Sequence, residues 1–307
     1  MTQGYEKQSA LLLETLRIAT TKEVFALKGG TAINFFFHDC PRFSVDIDLC
    51  YLPVSERDQA FQDIREKMEA IKSEVKNLIR GVEVEIQGNC KALVRNEGVQ
   101  VKIEVNEVVR GTLFPPVKMP LCPSLEKEFG AGMTVDCVAE PELYASKFCA
   151  ALQRQHPRDI FDVWLFFDRG GEMNREFLDA FVIYLISHRK PTHEVLSPRI
   201  QDIRNLYHHR FAGMTRIDAT LEDLLETQLS LPGKILSVLT ERHRAFLLSF
   251  NRGEPDWNLL PFPVAKNLPA VRWKQINLDK MSTDKRDEVI EKLTDVFKDN
   301  PCQSVIS

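Results

Sequence analysis

Two short strings hold the residue types that phosphoryl chemistry needs. Lys28-Gly29-Gly30-Thr31 closes the apolar run Val24-Phe25-Ala26-Leu27, and sixteen residues after Gly30 stands Asp46 in the string Arg42-Phe-Ser44-Val-Asp46-Ile-Asp48. A strand, a glycine turn and a short helix over 31–37 would present backbone N–H groups to a triphosphate, and only glycine lets a backbone come that close. In a strand over 45–51, Asp46 and Asp48 are two residues apart and share a face with Ser44. Two carboxylates held so near repel, and a divalent cation with hard oxygen ligands, Mg²⁺ bridging to substrate phosphates, removes that repulsion. A lone Asp-x-Asp is commonly a solvated strand end and a lone Gly-Gly commonly a turn. Their order, strand, Gly-Gly, helix, strand with Asp-x-Asp, is what points to phosphoryl or nucleotidyl transfer.

The elements that must position these residues follow from periodicity. A helix is expected over 5–19, and a long one after Ser55 as N-cap, with Phe61, Ile64, Met68, Ile71, Val75 and Leu78 at steps of three and four. Strands are expected over 82–86, 91–94 and 99–105, the last with Val99, Val101, Ile103 and Val105 on one face and Lys102 and Glu104 on the other. The four prolines of 115–123 suggest a connector. Helices over 142–154 and 158–168 open a second half that is almost wholly helical, ending in an amphipathic tail helix with Val289, Ile290, Leu293, Val296 and Phe297 that should pack back. The fold class is therefore α+β, with a mixed-sheet domain over 1–140 and a helical domain over 141–307 whose first helices complete the active-site cleft.

At 307 residues with 44% hydrophobic and 27% charged residues, the chain is neither disordered nor collagenous. Forty Lys and Arg against 44 Asp and Glu give a net charge of −4, so any nucleic acid must be held by a local patch. Such a patch is 188–216, where six Lys and Arg meet only Glu194 and Asp202, beside Tyr207 and four histidines. It reads equally as an RNA-backbone contact or a solvated face. Seven cysteines without a C-x-x-C pair, and no apolar run near the length of a membrane span, suggest a reducing, cytoplasmic setting and no membrane partner.

Two charges fall where helical spacing predicts burial: Lys147 on the arc of Leu143, Tyr144, Ala150 and Ala151, and Asp162 between Phe161 and Val163. They could form an ion pair that fixes two helices. Alternatively, Lys147 binds nucleotide phosphate and Asp162 orients it or the acceptor. Asp159, three residues before Asp162, is a candidate supporting group, and Arg42 a partner for phosphate or the nearby carboxylates.

Lys28-Gly-Gly-Thr-Ala32, Arg42-x-Ser-x-Asp-x-Asp48, Val101-Lys-Ile-Glu104, Glu142-Leu-Tyr-Ala-Ser-Lys147, Arg158-Asp-Ile-Phe-Asp162 and Trp273-Lys-x-x-Asn-Leu278 together resemble the AbiEii/AbiGii toxin family, MenT-like members included, within the polymerase β-type nucleotidyltransferases. The resemblance covers nearly the whole chain. It implies a polymerase β-like domain in which Ser44, Asp46, Lys147 and Asp162 are active-site positions. Asp48 would be a second metal ligand beside Asp46, and Glu104 a third carboxylate. From the residues themselves, Lys28, Gly29, Gly30 and Thr31 are expected to hold the NTP phosphates, with Arg42 as a further phosphate contact. The resemblance further implies a Mg²⁺-dependent toxin that adds nucleotides to the tRNA 3′ end, an AbiEi-like antitoxin partner, and a link to phage defence. Either Glu104 or Asp162 would take the acceptor proton. Two rivals remain: a transferase acting on a small molecule or protein, and a catalytically silent nucleotide-binding protein.

Overall fold

The computed structural model describes residues 2–130 and 132–300, in the order α1 (Thr2–Ala19), β1 (Phe25–Lys28), α2 (Gly29–Ala32) running into a π-helical turn (Ile33–Phe37), β2 (Asp46–Tyr51), α3 (Arg57–Leu78), β3 (Glu83–Gln87), β4 (Lys91–Asn96), β5 (Val99–Val105), β6 (Val117–Pro120), α4 (Pro123–Phe129), β7 (Thr134–Cys137), α5 (Glu140–Arg154), α6 (Pro157–Asp168), α7 (Arg175–Ile186), α8 (Thr192–Leu196), α9 (Arg204–Arg210), α10 (Leu221–Val238), α11 (Glu241–Arg252), α12 (Pro269–Asp279) and α13 (Thr283–Asp299). The chain divides into two compact units, residues 1–143 with 211–218 and residues 144–210 with 219–307. Among the described residues no helix is long and apolar enough to cross a membrane, and the six described cysteines are unbridged and buried; Cys302 lies outside them.

The first unit is built on a mixed sheet in the order β3-β4-β5-β2-β1-β7-β6. β2 runs parallel to β5 and β1 parallel to β7, while the remaining neighbours are antiparallel. Strict alternation splits its centre into two faces. Leu27, Ile47, Leu49, Val101, Ile103, Val105, Ala92 and Val94 are buried on one. The amphipathic helices α1 and α3 contact these strands and bury Leu12, Leu16, Ile64, Met68, Ile71 and Val75. Leu78, the last residue of the expected stripe, is exposed.

Three local readings of the sequence are corrected. Ser55 does not cap α3, because the helix begins one residue later and its N-cap, Glu56, makes no side-chain cap. The proline-rich connector contains β6, which the sheet accommodates at its edge, where a strand can lack ladder N–H groups. The segment 211–218, which its position in the helical half assigned to the second domain, belongs to the first unit. It is tied there by a bridge between Arg42 and Thr215, by Phe43 N donating to Met214 O at 2.8 Å, and by Arg216 N donating to Pro41 O at 2.7 Å.

The second unit is helical, with a core of Phe148, Phe166, Phe177 and Phe181 in edge and stacked contacts. The tail helix α13 packs on α8 and α11 through Leu293 and Phe297, and Arg244 of α11 donates to the Phe297 carbonyl at 2.9 Å. Val289, Ile290 and Val296 are only half-buried. Lys274 of α12 donates to the His188 and Lys190 carbonyls at 2.8 and 3.0 Å, closing the chain after α7.

Candidate active site

β1 delivers Lys28 opposite Asp48 of β2, and the chain then turns at Gly29, whose φ is +72°. A Cβ at Gly29 would land on Asp48 Oδ2, and one at Gly30 on the Arg42 guanidinium. A side chain at either position would force the Asp48 carboxylate or the Arg42 guanidinium to shift, and at Gly29 it would also meet a positive φ. Arg42 is 2% exposed and its Nη1 donates to Phe43 O at 2.9 Å, so it braces the turn from within the unit. Thr31 is fully buried; its hydroxyl donates to the Asp46 carbonyl and pairs with Ser44 Oγ at 2.8 Å. These contacts fix the entry to β2 and make Thr31 a positioning residue. We expect Gly29→Ala to lower kcat/KM by roughly 10- to 100-fold, because it displaces Asp48, and to cost about 1–3 kcal/mol of stability, because alanine is strained at positive φ. Kinetics and thermal melts on the same preparation check both.

Asp46 and Asp48 alternate with buried Ile47 and Leu49 and are half-buried on the sheet face away from the apolar core. The parallel register sets Lys102 opposite Asp46 and Glu104 opposite Asp48. Lys102 Nζ lies 2.5 Å from Glu104 Oε2 and 4.0 Å from Asp46 Oδ1. Burial alone would lower the Lys102 pKa, but the hydrogen bond to Glu104 and the charges of Asp46, Glu104 and Asp48 raise it above its ordinary value. An ammonium thus occupies the carboxylate set as an internal cation. The donors are all oxygen, which suits Mg²⁺. Among the described residues no three His, Cys, Asp or Glu converge into a full metal cage.

In the second unit, α5 and α6 bring Lys147 and Asp162 together: Nζ is 2.9 Å from Asp162 Oδ2 and 3.0 Å from Asp159 Oδ1, and all three side chains are buried. Arg154 also grips Asp159, Nη2 to Oδ1 at 2.9 Å. Burial would raise the Asp159 pKa, yet Lys147 and Arg154 hold its carboxyl well below the usual range. His156 caps α6 by accepting from Arg158 N, and Pro157 stands in the first turn, where its missing N–H costs no helical hydrogen bond.

The structure also gives partners to residues that carried no role in the sequence. Lys102 was visible only as the alternate neighbour of Glu104. Glu142 is 1% exposed and accepts from Leu113 N at 2.9 Å and Phe114 N at 3.3 Å, anchoring the loop after β5. The basic stretch 188–216 is divided between the two units. Arg216 belongs to the first unit, paired with Glu128 and stacked on Phe43, and Arg204 pairs with Asp202.

A family model described as the nucleotidyl transferase AbiEii toxin of type IV toxin–antitoxin systems matches residues 11–275. The chain belongs to this family, and is thus a nucleotidyltransferase toxin, for which membership implies an NTP substrate and an antitoxin partner. Among solved structures, the MenT4 nucleotidyltransferase toxin of Mycobacterium tuberculosis H37Rv is similar, at 16% identity over 96% of this chain and 95% of that one, with a TM-score of 0.47. No curated protein matches the chain.

Proposed function

We propose that this toxin transfers a nucleoside monophosphate from an NTP to the 3′ end of tRNA in the cytoplasm, blocking aminoacylation, and that an AbiEi-like antitoxin restrains it as part of phage defence. The observation that carries the reading is the pair Asp46 and Asp48 on alternate positions of β2, with Asp48 seated on the Gly29 turn. Asp46 and Asp48 would hold Mg²⁺, which supplies charge neutralisation for the triphosphate. Lys28 and the Gly29–Gly30 turn bind the phosphates, Arg42 and Thr31 keep that turn in place, and Ser44 fixes the approach to Asp46. The acceptor hydroxyl attacks the α-phosphate, the bond to the β-phosphate breaks, and pyrophosphate leaves. The proton passes to a carboxylate, Glu104 or Asp162; pH–rate profiles of Glu104→Gln and Asp162→Asn identify which, since the base variant loses the acidic limb. Lys147 contributes a phosphate contact in the same proposal.

The 3′ end is tested with periodate-oxidised tRNA, which should accept no label; undiminished labelling would place the acceptor elsewhere. Helix α9 buries none of its side chains and presents Arg204, His208, His209 and Arg210 outward. We expect Arg204→Glu with Arg210→Glu to weaken tRNA binding several-fold and reduce its salt dependence by about two charges, leaving NTP affinity unchanged. Filter binding across a salt series reads this directly. Unaltered binding would leave α9 a solvated face and favour a small-molecule or protein acceptor.

A further inference from the structure

The register lines up opposite charges across one sheet face. Lys91 of β4, Glu104 of β5, Asp48 of β2 and Lys28 of β1 occupy one cross-strand row, and Lys102 and Asp46 face each other in the next. Lys102 is half-buried with its ammonium against Glu104 and toward Asp46. We propose that Lys102 is a resident counter-ion of the carboxylate set, which a divalent cation must displace before it can occupy Asp46 and Asp48. The inference rests on the reading that these two aspartates hold the metal.

Without a cation, Asp46, Asp48 and Glu104 sit at adjacent register positions and repel, and the half-buried ammonium offsets that repulsion. A divalent ion approaching Asp46 meets a positive charge within a few ångströms, so its binding carries the cost of expelling Lys102. The free cation is therefore bound weakly. A nucleoside triphosphate gives the displaced ammonium a new anionic partner, so metal and nucleotide reinforce each other's binding. Such coupling would keep the toxin from committing its carboxylates to metal when no substrate is present.

The test uses the full chain and Mn²⁺, whose free concentration is followed by electron paramagnetic resonance without any turnover. Lys102→Met keeps the stem and removes the charge, and should bind Mn²⁺ at least about ten-fold more tightly than wild type. Lys102→Arg keeps the charge and should resemble wild type. In thermal melts, Lys102→Met should be less stable than wild type in chelator and gain more from Mn²⁺. Should Lys102→Met fail to fold, Lys102→Met with Glu104→Gln, compared with Glu104→Gln alone, asks the same question with less residual repulsion. Unchanged or weaker Mn²⁺ binding in the neutral variants would overturn the proposal and make Lys102 a residue that orders the acids. Asp46→Asn separates the two layers: it should weaken Mn²⁺ binding, and if it does not, the metal-site reading has failed rather than the role of Lys102.

Discussion

Asp46→Ala should lower nucleotidyl transfer by at least about 1,000-fold and leave the fold intact. The size follows from removing a group that stabilises developing charge, about 4 kcal/mol of barrier, each 1.4 kcal/mol being ten-fold. The fold should survive because Asp46 is half-buried on the polar sheet face, while the core on the opposite face is made by Ile47 and Leu49. Its 4.0 Å ion pair with Lys102 is partly solvated and contributes about 1 kcal/mol or less. Steady-state rates, thermal melts and growth of cells expressing the variant should agree: no transfer, no arrest, a nearly unchanged melting temperature. An active Asp46→Ala protein would remove the site assignment altogether.

The second large effect is on stability. Lys147→Met takes the ammonium from between two buried carboxylates, Asp159 and Asp162, and should destabilise the second unit by about 3–5 kcal/mol. Arg154 remains on Asp159, but its own side chain is largely exposed and replaces Lys147 only in part. The pH dependence has a definite sign. Asp159 is held below its unfolded value near 3.9, so in the folded state it binds fewer protons in that range. Its stabilisation is fully present above about pH 4 and is lost as the pH falls below that value. Denaturant melts of wild type should show this acid loss, and Lys147→Met should show less of it. Adding Asp159→Asn and Asp162→Asn to Lys147→Met should recover most of the stability, since a neutral cluster needs no ammonium. Recovered transfer in this stable variant would make the cluster purely a clamp between α5 and α6, with neither Lys147 nor Asp162 taking part in the reaction; absent transfer would implicate one of the two in it.

Much of this arrangement was legible in the sequence because it depends on period-two alternation and on glycine. Val99 to Val105 displayed their faces openly, so Glu104 was placed on the polar side before any register was known, and Asp46 and Asp48 could be paired from spacing alone. The helical arc around Lys147 likewise announced a buried charge. What escaped is whatever depends on cross-strand register or long-range pairing. Nothing local to Lys102 says that it will face Asp46 across a parallel pair. Asp159 read as support for Asp162, whereas it binds Lys147 as closely as Asp162 does. The return of 211–218 to the first unit is held by backbone bonds to Pro41 and Phe43, which carry no sequence signature. Prolines in 115–123 read as breakers because an edge position, where Pro120 is harmless, cannot be seen from composition.

The central claim is that the chain moves a nucleotidyl group rather than a terminal phosphate, and one labelling experiment separates these. Purified toxin with Mg²⁺ and total tRNA is given each nucleoside triphosphate labelled on either the α- or the γ-phosphate, and the RNA is resolved on a denaturing gel. The account predicts α-label in tRNA, release of γ-label as pyrophosphate, and neither with Asp46→Ala. Label entering RNA from the γ-position, or α-label entering equally with Asp46→Ala, would contradict it.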